Sequence, residues 1–112
     1  MNEIPESKIL KEELVLSIAG EGDGVNIYRS TFENGKVLFI EKRSTVFDAD
    51  DLDMTEEEYE KFINQAIQYS SFEEFWDKFS QLKGVARLHY FNINSDYREL
   101  IEKTIPKYRI ED

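Results

Sequence analysis

The stretch that decides the fold runs from Val25 to Ser44 and reads VNIYRSTFENGKVLFIEKRS. Two runs rich in β-branched and aromatic residues flank Asn34-Gly35, a dipeptide that favours the positive φ angles of a type I′ turn. We therefore predict a β-hairpin with a two-residue loop. Such a loop fixes the register and places these residues opposite each other: Glu33 and Lys36, Phe32 and Val37, Ser30 and Phe39, Tyr28 and Glu41.

A further strand precedes the hairpin. From residue 13 to residue 19 the apolar residues Leu14, Leu16 and Ile18 occupy alternate positions, as in a half-buried strand. The sequence GEGDG, residues 20–24, has three glycines in five residues and predicts a tight turn. It lacks the Gly-Lys-Ser/Thr ending of a phosphate-binding loop, and a strand follows it instead of a helix. The N-terminal half is therefore predicted to form a three-stranded antiparallel meander.

The second half of the chain follows a helical period. Thr55 with Glu58, and Ser71 with Glu74, match the capping box that begins a helix. Two apolar stripes follow these caps at helical spacing and predict core-facing helices. The first stripe consists of Tyr59, Phe62, Ile63, Ala66 and Ile67, and the second of Phe72, Phe75, Trp76, Phe79 and Leu82, with Gly84 as the C-terminal cap.

The C-terminal third returns to a strand and ends in a helix. Residues 85–93 have the composition of a strand, and Asn94 or Ser95 can cap a last helix that must end near Pro106. The resulting order, β-β-β-α-α-β-α, predicts an α+β fold: a mainly antiparallel sheet, made of the N-terminal meander and a later strand, with helices packed on one face. We expect one domain over residues 13–112, preceded by a polar N-terminal arm over residues 1–12 with a short helical turn at 6–11.

Composition and charge exclude several classes of function. Acids outnumber bases 24 to 14, which gives a net charge of −10. This balance argues against binding to nucleic acid or to an anionic membrane, both of which attract clustered Lys and Arg. The chain has no cysteine, no signal-peptide pattern and no apolar stretch long enough to span a membrane, so we expect a cytoplasmic protein. No motif of an active site, a cofactor site or a metal site is recognisable, and we expect neither catalysis nor a bound cofactor or metal.

The negative charge is concentrated in residues 48–60, which contain eight acids and no base. Three interpretations are open: a solvated loop that leads into a helix whose first turn favours acids, a recognition surface for a basic protein, and a calcium or magnesium site. An EF-hand loop counted from Asp48 fails, because its glycine position is Asp53 and its last position is Tyr59. Glu58 is reserved for the capping box, and the candidate partner-binding residues are Asp48, Asp50, Asp51, Asp53, Glu56, Glu57 and Glu60.

The other chemically notable residues favour structural roles. His89 is the only histidine, and it lies in a predicted strand without a carboxylate at a motif spacing. A metal site or a catalytic triad needs partners that no pattern in the sequence supplies. Four aromatic residues that could also form a ligand cage are predicted to form the main core: Phe72, Phe75, Trp76 and Phe79.

The chain resembles a group of small, uncharacterised bacterial proteins. The resemblance lies in LVLSIAGEG (residues 14–22), Ile27-Tyr28, Phe39 of the hairpin, FEEF (residues 72–75) and LHYFNINSDYR (residues 88–98). These proteins share an EGG-type turn after the first strand, where this chain has Glu21-Gly22-Asp23. No catalytic residue comes with this resemblance. In size, acidity and architecture the chain is also similar to the immunity proteins of bacterial toxin systems.

These observations lead to one functional hypothesis and two alternatives. We expect a bacterial, intracellular binding protein of the immunity type, whose acidic surface neutralises a basic toxin, such as a nuclease, by imitating nucleic-acid phosphates. The first alternative is a small ligand-binding or enzymatic domain that uses His89 and its aromatic neighbours. The second is a regulatory or structural protein that forms a dimer through the edge of its sheet.

Overall fold

The computed structural model describes residues 8–111, and in that range it contains a five-stranded antiparallel sheet and three α-helices. The strands are β1 (Ile9–Ala19), β2 (Asp23–Phe32), β3 (Val37–Thr45), β4 (Ala66–Tyr69) and β5 (His89–Phe91). The helices are α1 (Glu56–Ile63), α2 (Phe72–Phe79) and α3 (Ser95–Thr104), and short 3₁₀ turns cover Val85–Arg87 and Lys107–Arg109. The strand order is β4-β3-β2-β1-β5. The predicted α+β fold with an N-terminal three-stranded meander is confirmed.

All three helices pack on one face of the sheet, as predicted. Phe39 of β3 lies on this face, where its ring centroid is 6.1 Å from that of Phe72 in α2 and 5.8 Å from that of Tyr97 in α3. Arg43, four residues further along β3 and therefore on the same face, lies over the ring of Phe62 in α1. The main apolar core fills the space between this face of the sheet and the helices α2 and α3.

The β2–β3 hairpin forms as predicted, but its loop is one residue longer. Gly35 has a φ of +86° and its N–H donates to the carbonyl of Phe32 at 2.9 Å, whereas Asn34 does not have a positive φ. The loop is therefore a turn followed by one left-handed residue, a conformation that glycine adopts without strain. The extra residue moves the register by one, so the predicted pairing is wrong. The observed pairs are Thr31 with Val37, Ser30 with Leu38, Arg29 with Phe39 and Tyr28 with Ile40.

β1 contains a bulge that an alternating pattern does not reveal. Leu14 pairs with Tyr28, but Leu16 pairs with Ile27, so β1 has one extra residue at Val15. Val15 and Leu16 are consequently both fully buried, while Leu14 is 38% exposed. The predicted inward position of Leu14 is wrong, because the extra residue at the bulge places Leu14 and Leu16 on opposite faces of the sheet.

β1 also begins earlier than predicted. Residues 9–12 belong to the strand, so they are not part of a polar arm, and the helical turn predicted at 6–11 is wrong for residues 9–11. The carbonyl of Lys8 accepts a hydrogen bond from the N–H of Glu33 at 2.8 Å, which brings the start of the described chain to the hairpin loop. The rest of the predicted arm, residues 1–7, lies outside the described residues.

A strand replaces the second half of the first predicted helix. α1 begins at the cap of Thr55, as predicted, but ends at Ile63. Ala66 and Ile67, which were expected to extend the helical stripe, belong to β4 and pair with Lys42 and Glu41 of β3. The prediction fails because the backbone of this segment forms hydrogen bonds with the edge of β3. The spacing of apolar residues cannot indicate such a partner, which is distant in the sequence.

α2 carries the aromatic core that the sequence predicts. The hydroxyl of Ser71 accepts from the N–H of Glu74 at 3.1 Å, but the Glu74 carboxylate binds the Ser70 hydroxyl at 2.6 Å, so only half of the predicted capping box forms. Leu82 is 59% exposed, because α2 ends at Phe79, and its predicted place in the core is wrong. The buried side chains of α2 are Phe72, Phe75 and Trp76.

The C-terminal third has a shorter strand than predicted. Gly84 has a φ of +83°, but it precedes the 3₁₀ turn Val85–Arg87 instead of ending α2. β5 covers only residues 89–91 of the strand predicted over 85–93. α3 begins after Asn94, a predicted cap, and ends before Pro106. No helix within residues 8–111 is long and apolar enough to cross a membrane.

Candidate functional site

The acidic segment, residues 48–60, connects β3 to α1 and begins with a hydrogen-bonded turn. The N–H of Asp51 donates to Oδ1 of Asp48 at 2.9 Å, and the N–H of Asp48 donates to Oδ2 of Asp51 at 3.2 Å. These carboxylates occupy backbone donors that would otherwise need water. Ala49, which follows Asp48 in this turn, is only 5% exposed. Asp53 has a φ of 58°, a conformation that Asp and Asn tolerate better than most residues.

The second half of the acidic segment is fixed by the start of α1. The hydroxyl of Thr55 accepts from the N–H of Glu58 at 3.1 Å, and the Glu58 carboxylate accepts from the N–H of Thr55 at 3.0 Å, which confirms the predicted capping box. The hydrogen bond from the Thr55 backbone lowers the pKa of the Glu58 carboxyl. The hydroxyl of Tyr59 donates to the carbonyl of Phe47 at 2.7 Å, so α1 is tied to the beginning of the segment.

The candidate partner-binding residues are all exposed and mostly without ion pairs. Within the described residues, the one ion pair that any of them forms joins Oε1 of Glu57 to Nζ of Lys61 at 3.7 Å. Both side chains are largely in water, where such a pair is screened and contributes little. The segment thus presents carboxylates that the chain's own bases leave unneutralised. These residues are Asp48, Asp50, Asp51, Asp53, Glu56, Glu57 and Glu60.

The same carboxylates do not converge on a metal site. Across residues 8–111, no group of three or more Asp, Glu or His side chains is arranged to hold a metal ion. A calcium site needs six to eight oxygens around one point, and magnesium needs an octahedron. Asp48, Asp51 and Glu58 already accept hydrogen bonds from backbone N–H groups. The geometry therefore gives no support to a cation site in this segment.

His89 lies on β5, and both of its ring nitrogens contact charged side chains. Nδ1 is 2.8 Å from Oε1 of Glu111, and Nε2 is 3.3 Å from a terminal nitrogen of Arg109. Because a guanidinium only donates, Nε2 acts as the acceptor and Nδ1 carries the proton that is shared with Glu111. The N–H of Glu111 also donates to the carbonyl of Tyr90 at 2.9 Å, so these contacts hold the C-terminal segment beside β5.

The sequence did not predict the ion-pair cluster beneath α3. Arg29 of β2 lies on the helix-covered face, where its Nε donates to Glu13 at 2.7 Å and a terminal nitrogen donates to the hydroxyl of Tyr97 at 3.0 Å. The hydrogen bond between Arg29 and Glu13 raises the pKa of the Arg29 guanidinium and lowers the pKa of the Glu13 carboxyl. A charged residue at an inward position of an alternating strand is the signal that could have identified it.

A second polar contact lies at the junction of β3 and β4. Glu41 is 8% exposed and accepts a hydrogen bond from the hydroxyl of Tyr69 at 3.0 Å. Burial, together with the charge of Glu41, raises the pKa of Tyr69 to about 12. This hydrogen bond links the edge strand β4 to its neighbour β3 through their side chains.

No protein-family model, curated protein or solved structure matches this chain. The resemblance to bacterial proteins with an EGG-type turn, and the likeness to immunity proteins, therefore stay predictions. Of the features in residues 8–111, the acidic segment combines dense charge with exposure and a defined backbone, and it is the candidate site on which a function can be built.

Proposed function

We propose that this chain is an intracellular binding protein of the immunity type, which neutralises a basic bacterial toxin through its acidic segment. The observation that carries the proposal is a set of seven exposed carboxylates on one ordered segment, of which only Glu57 pairs with a described base. The segment holds eight of the chain's 24 acids, and the net charge without it would be −2 instead of −10. The remainder of the chain is therefore close to neutral.

A nuclease is the kind of basic partner that suits this segment. Proteins that bind nucleic acid hold phosphates with Lys and Arg, and a row of carboxylates offers those side chains a similar array of negative charge. Opposite charges speed association by about 10- to 1000-fold at low salt. The Asp48–Asp51 turn and the capping box hold the segment in place before binding, so little conformational entropy is lost when the complex forms.

The hydrogen bonds of the segment decide which carboxylates can be changed without disturbing the fold. The carboxylates of Asp48, Asp51 and Glu58 bind backbone N–H groups and are kept. Asp53 has a positive φ, which asparagine tolerates. A segment variant therefore combines Asp50→Lys, Asp53→Asn and Glu60→Lys.

A matched control variant makes the same change in net charge at other exposed acids. It combines Glu33→Lys in the hairpin loop, Glu99→Lys on α3 and Glu21→Gln in the β1–β2 turn. Because both variants carry the same total charge, any difference between them reports the position of the charge and not its amount.

The test uses the product of the gene beside the one that encodes this chain, expressed with or without the chain. Wild-type chain and control variant are expected to restore growth against this product, and the segment variant to restore less. With purified proteins, the association rate of the segment variant should fall about tenfold or more at low salt and lose much of its salt dependence. A neighbouring product that is neither basic nor toxic, or equal association rates for the two variants, would refute the proposal.

A further inference from the structure

A second set of buried side chains lies on the face of the sheet that is turned away from the helices. Leu38 and Ile40 alternate along β3 with Phe39, which packs against the helices, so their side chains point to the opposite face. Ser30 of β2 pairs with Leu38, and Phe32 lies two residues further along the same side of β2. Ser30 and Phe32 are fully buried, Leu38 is 6% exposed and Ile40 is 3% exposed, yet none of the four belongs to the main core. These four residues form the rear patch.

The helices and strands of residues 8–111 do not account for the burial of the rear patch. All three helices lie on the other face of the sheet. The connection from β3 to α1 starts at the far end of β3, where the N–H of Val46 donates to the carbonyl of Gly22 at 2.8 Å, about 26 Å along the strand from Leu38. Other side chains on the same face keep their exposure, since Leu14 is 38% exposed and Ser44 is exposed as well. The burial of the rear patch therefore needs a cover that these elements do not provide.

The segment of the chain that precedes Lys8 starts beside the rear patch and is long enough to cross it. The carbonyl of Lys8 accepts from the N–H of Glu33 at 2.8 Å, and Ile9 pairs with Phe32, which belongs to the patch. Seven extended residues span about 23 Å. The distance across the sheet from β1 to β4 is three strand spacings, or about 14 Å. Residues 1–7 can therefore reach every side chain of the rear patch.

We propose that residues 1–7 form an extended strap across the rear patch, with the side chain of Ile4 packed on Phe32 and Leu38. The segment reads MNEIPES, in which Ile4 is an aliphatic side chain among mostly polar neighbours. Pro5 is incompatible with a helix interior, and it favours an extended backbone at Ile4, as a strap requires. Covering apolar side chains removes their surface from water, which favours the docked segment. The strap is separate from the acidic segment and has no part in the function proposed above.

The test uses single cysteines in the full chain. Because the chain has no cysteine, an introduced thiol reports the accessibility of one position to iodoacetamide, followed by mass spectrometry. Ser30→Cys is a nearly isosteric probe of the rear patch, and Ser44→Cys probes an exposed position on the same face. Val15→Cys probes the main core, where Val15 is fully buried. We expect Ser30→Cys to react at least about tenfold more slowly than Ser44→Cys, because its thiol reacts only when the strap opens.

Two further substitutions assign the protection to the strap. Each probe is combined with Ile4→Asp or with Asn2→Asp, which makes the same change in charge at a polar position of the segment. Loss of one buried aliphatic side chain shifts the opening of the strap by about tenfold or more, so Ile4→Asp should speed the labelling of Ser30→Cys by that factor. Labelling of Val15→Cys and Ser44→Cys should not change, because neither position lies under the strap. Asn2→Asp should leave all three rates unchanged.

Several results would overturn the inference. Equal labelling rates for Ser30→Cys and Ser44→Cys would show that the rear patch is open, and equal effects of Ile4→Asp and Asn2→Asp would show that Ile4 is not part of the cover. Protection that increases with protein concentration would assign the cover to a second copy of the chain. Equal acceleration of Ser30→Cys and Val15→Cys by Ile4→Asp would indicate global unfolding instead of local opening. If circular dichroism shows that Ser30→Cys does not fold, Leu38→Cys replaces it as the probe. Each of these results leaves the proposal for the acidic segment untouched.

Discussion

Truncation of Phe72 to alanine should remove a large part of the stability of the domain. Phe72 is fully buried, and its ring stacks on Tyr97 with 4.3 Å between ring centroids and meets Phe39 edge-on at 6.1 Å. The lost transfer free energy is about 2 kcal/mol, and a residual cavity of about 100 Å³ adds about 2.4 kcal/mol. The expected loss of about 4 kcal/mol is most of the free energy of unfolding if the domain lies at the lower end of the usual range of about 5–15 kcal/mol.

Urea unfolding followed by circular dichroism measures this loss. With a slope of about 1.5 kcal/mol per molar urea, the midpoint of Phe72→Ala should fall by about 3 M. Leu82→Ala is the matched control, since Leu82 was predicted in the same helical stripe but is 59% exposed, and its midpoint should change by the equivalent of about 0.5 kcal/mol or less. If Phe72→Ala does not fold, Phe72→Leu should still fold and lose about 1–1.5 kcal/mol. Equal midpoint shifts for Phe72→Ala and Leu82→Ala would refute the described core.

Further predictions concern caps and titrating groups. The hydrogen bond from Arg29 lowers the pKa of the Glu13 carboxyl in the folded state, so the ionised Glu13 stabilises the fold at any pH above the ordinary Glu pKa. The urea midpoints of wild type and Glu13→Gln should therefore differ near neutral pH. They should converge as the pH falls through the folded-state pKa of Glu13. Ser71→Ala should lower the global stability by about 1 kcal/mol, whereas Thr55→Ala should mainly speed amide exchange in α1, which has no buried residue; equal global losses would contradict this. Ultraviolet titration should show Tyr69 ionising near its raised pKa of about 12, and Glu41→Gln should lower that pKa. The same Tyr69 pKa in wild type and Glu41→Gln would contradict the contact between Tyr69 and Glu41.

The sequence predicted best the features that depend on neighbouring residues. The cap of α1 at Thr55, the cap of α3 at Asn94 and the end of α3 before Pro106 are all confirmed. Each of these features rests on contacts between residues at most four positions apart, or on the missing N–H of proline. The turn after β1 is confirmed for the same reason, with the N–H of Gly20 donating to the carbonyl of Asp23 at 2.9 Å.

The candidate site was predictable in its composition and only partly in its geometry. The sequence located the acidic segment and assigned Glu58 to a cap, which left the other carboxylates available. It did not predict the reciprocal Asp48–Asp51 turn or the hydrogen bond from Tyr59 to Phe47. A run of acids is compatible with several arrangements of hydrogen bonds, and the folded backbone determines which of these hydrogen bonds form.

The sequence by itself determined the α+β class, the meander, the aromatic core of α2 and the position of the negative charge. The hydrophobic period, the turn residues and the helix caps depend on neighbouring residues, so the sequence alone is enough to identify them. Only the tertiary structure decided that Ala66–Tyr69 is an edge strand, that the β1 bulge exposes Leu14 and that Arg29 meets Glu13 beneath α3. These features depend on hydrogen bonds and ion pairs between residues far apart in the chain, whose energies override local preference once the strands pair.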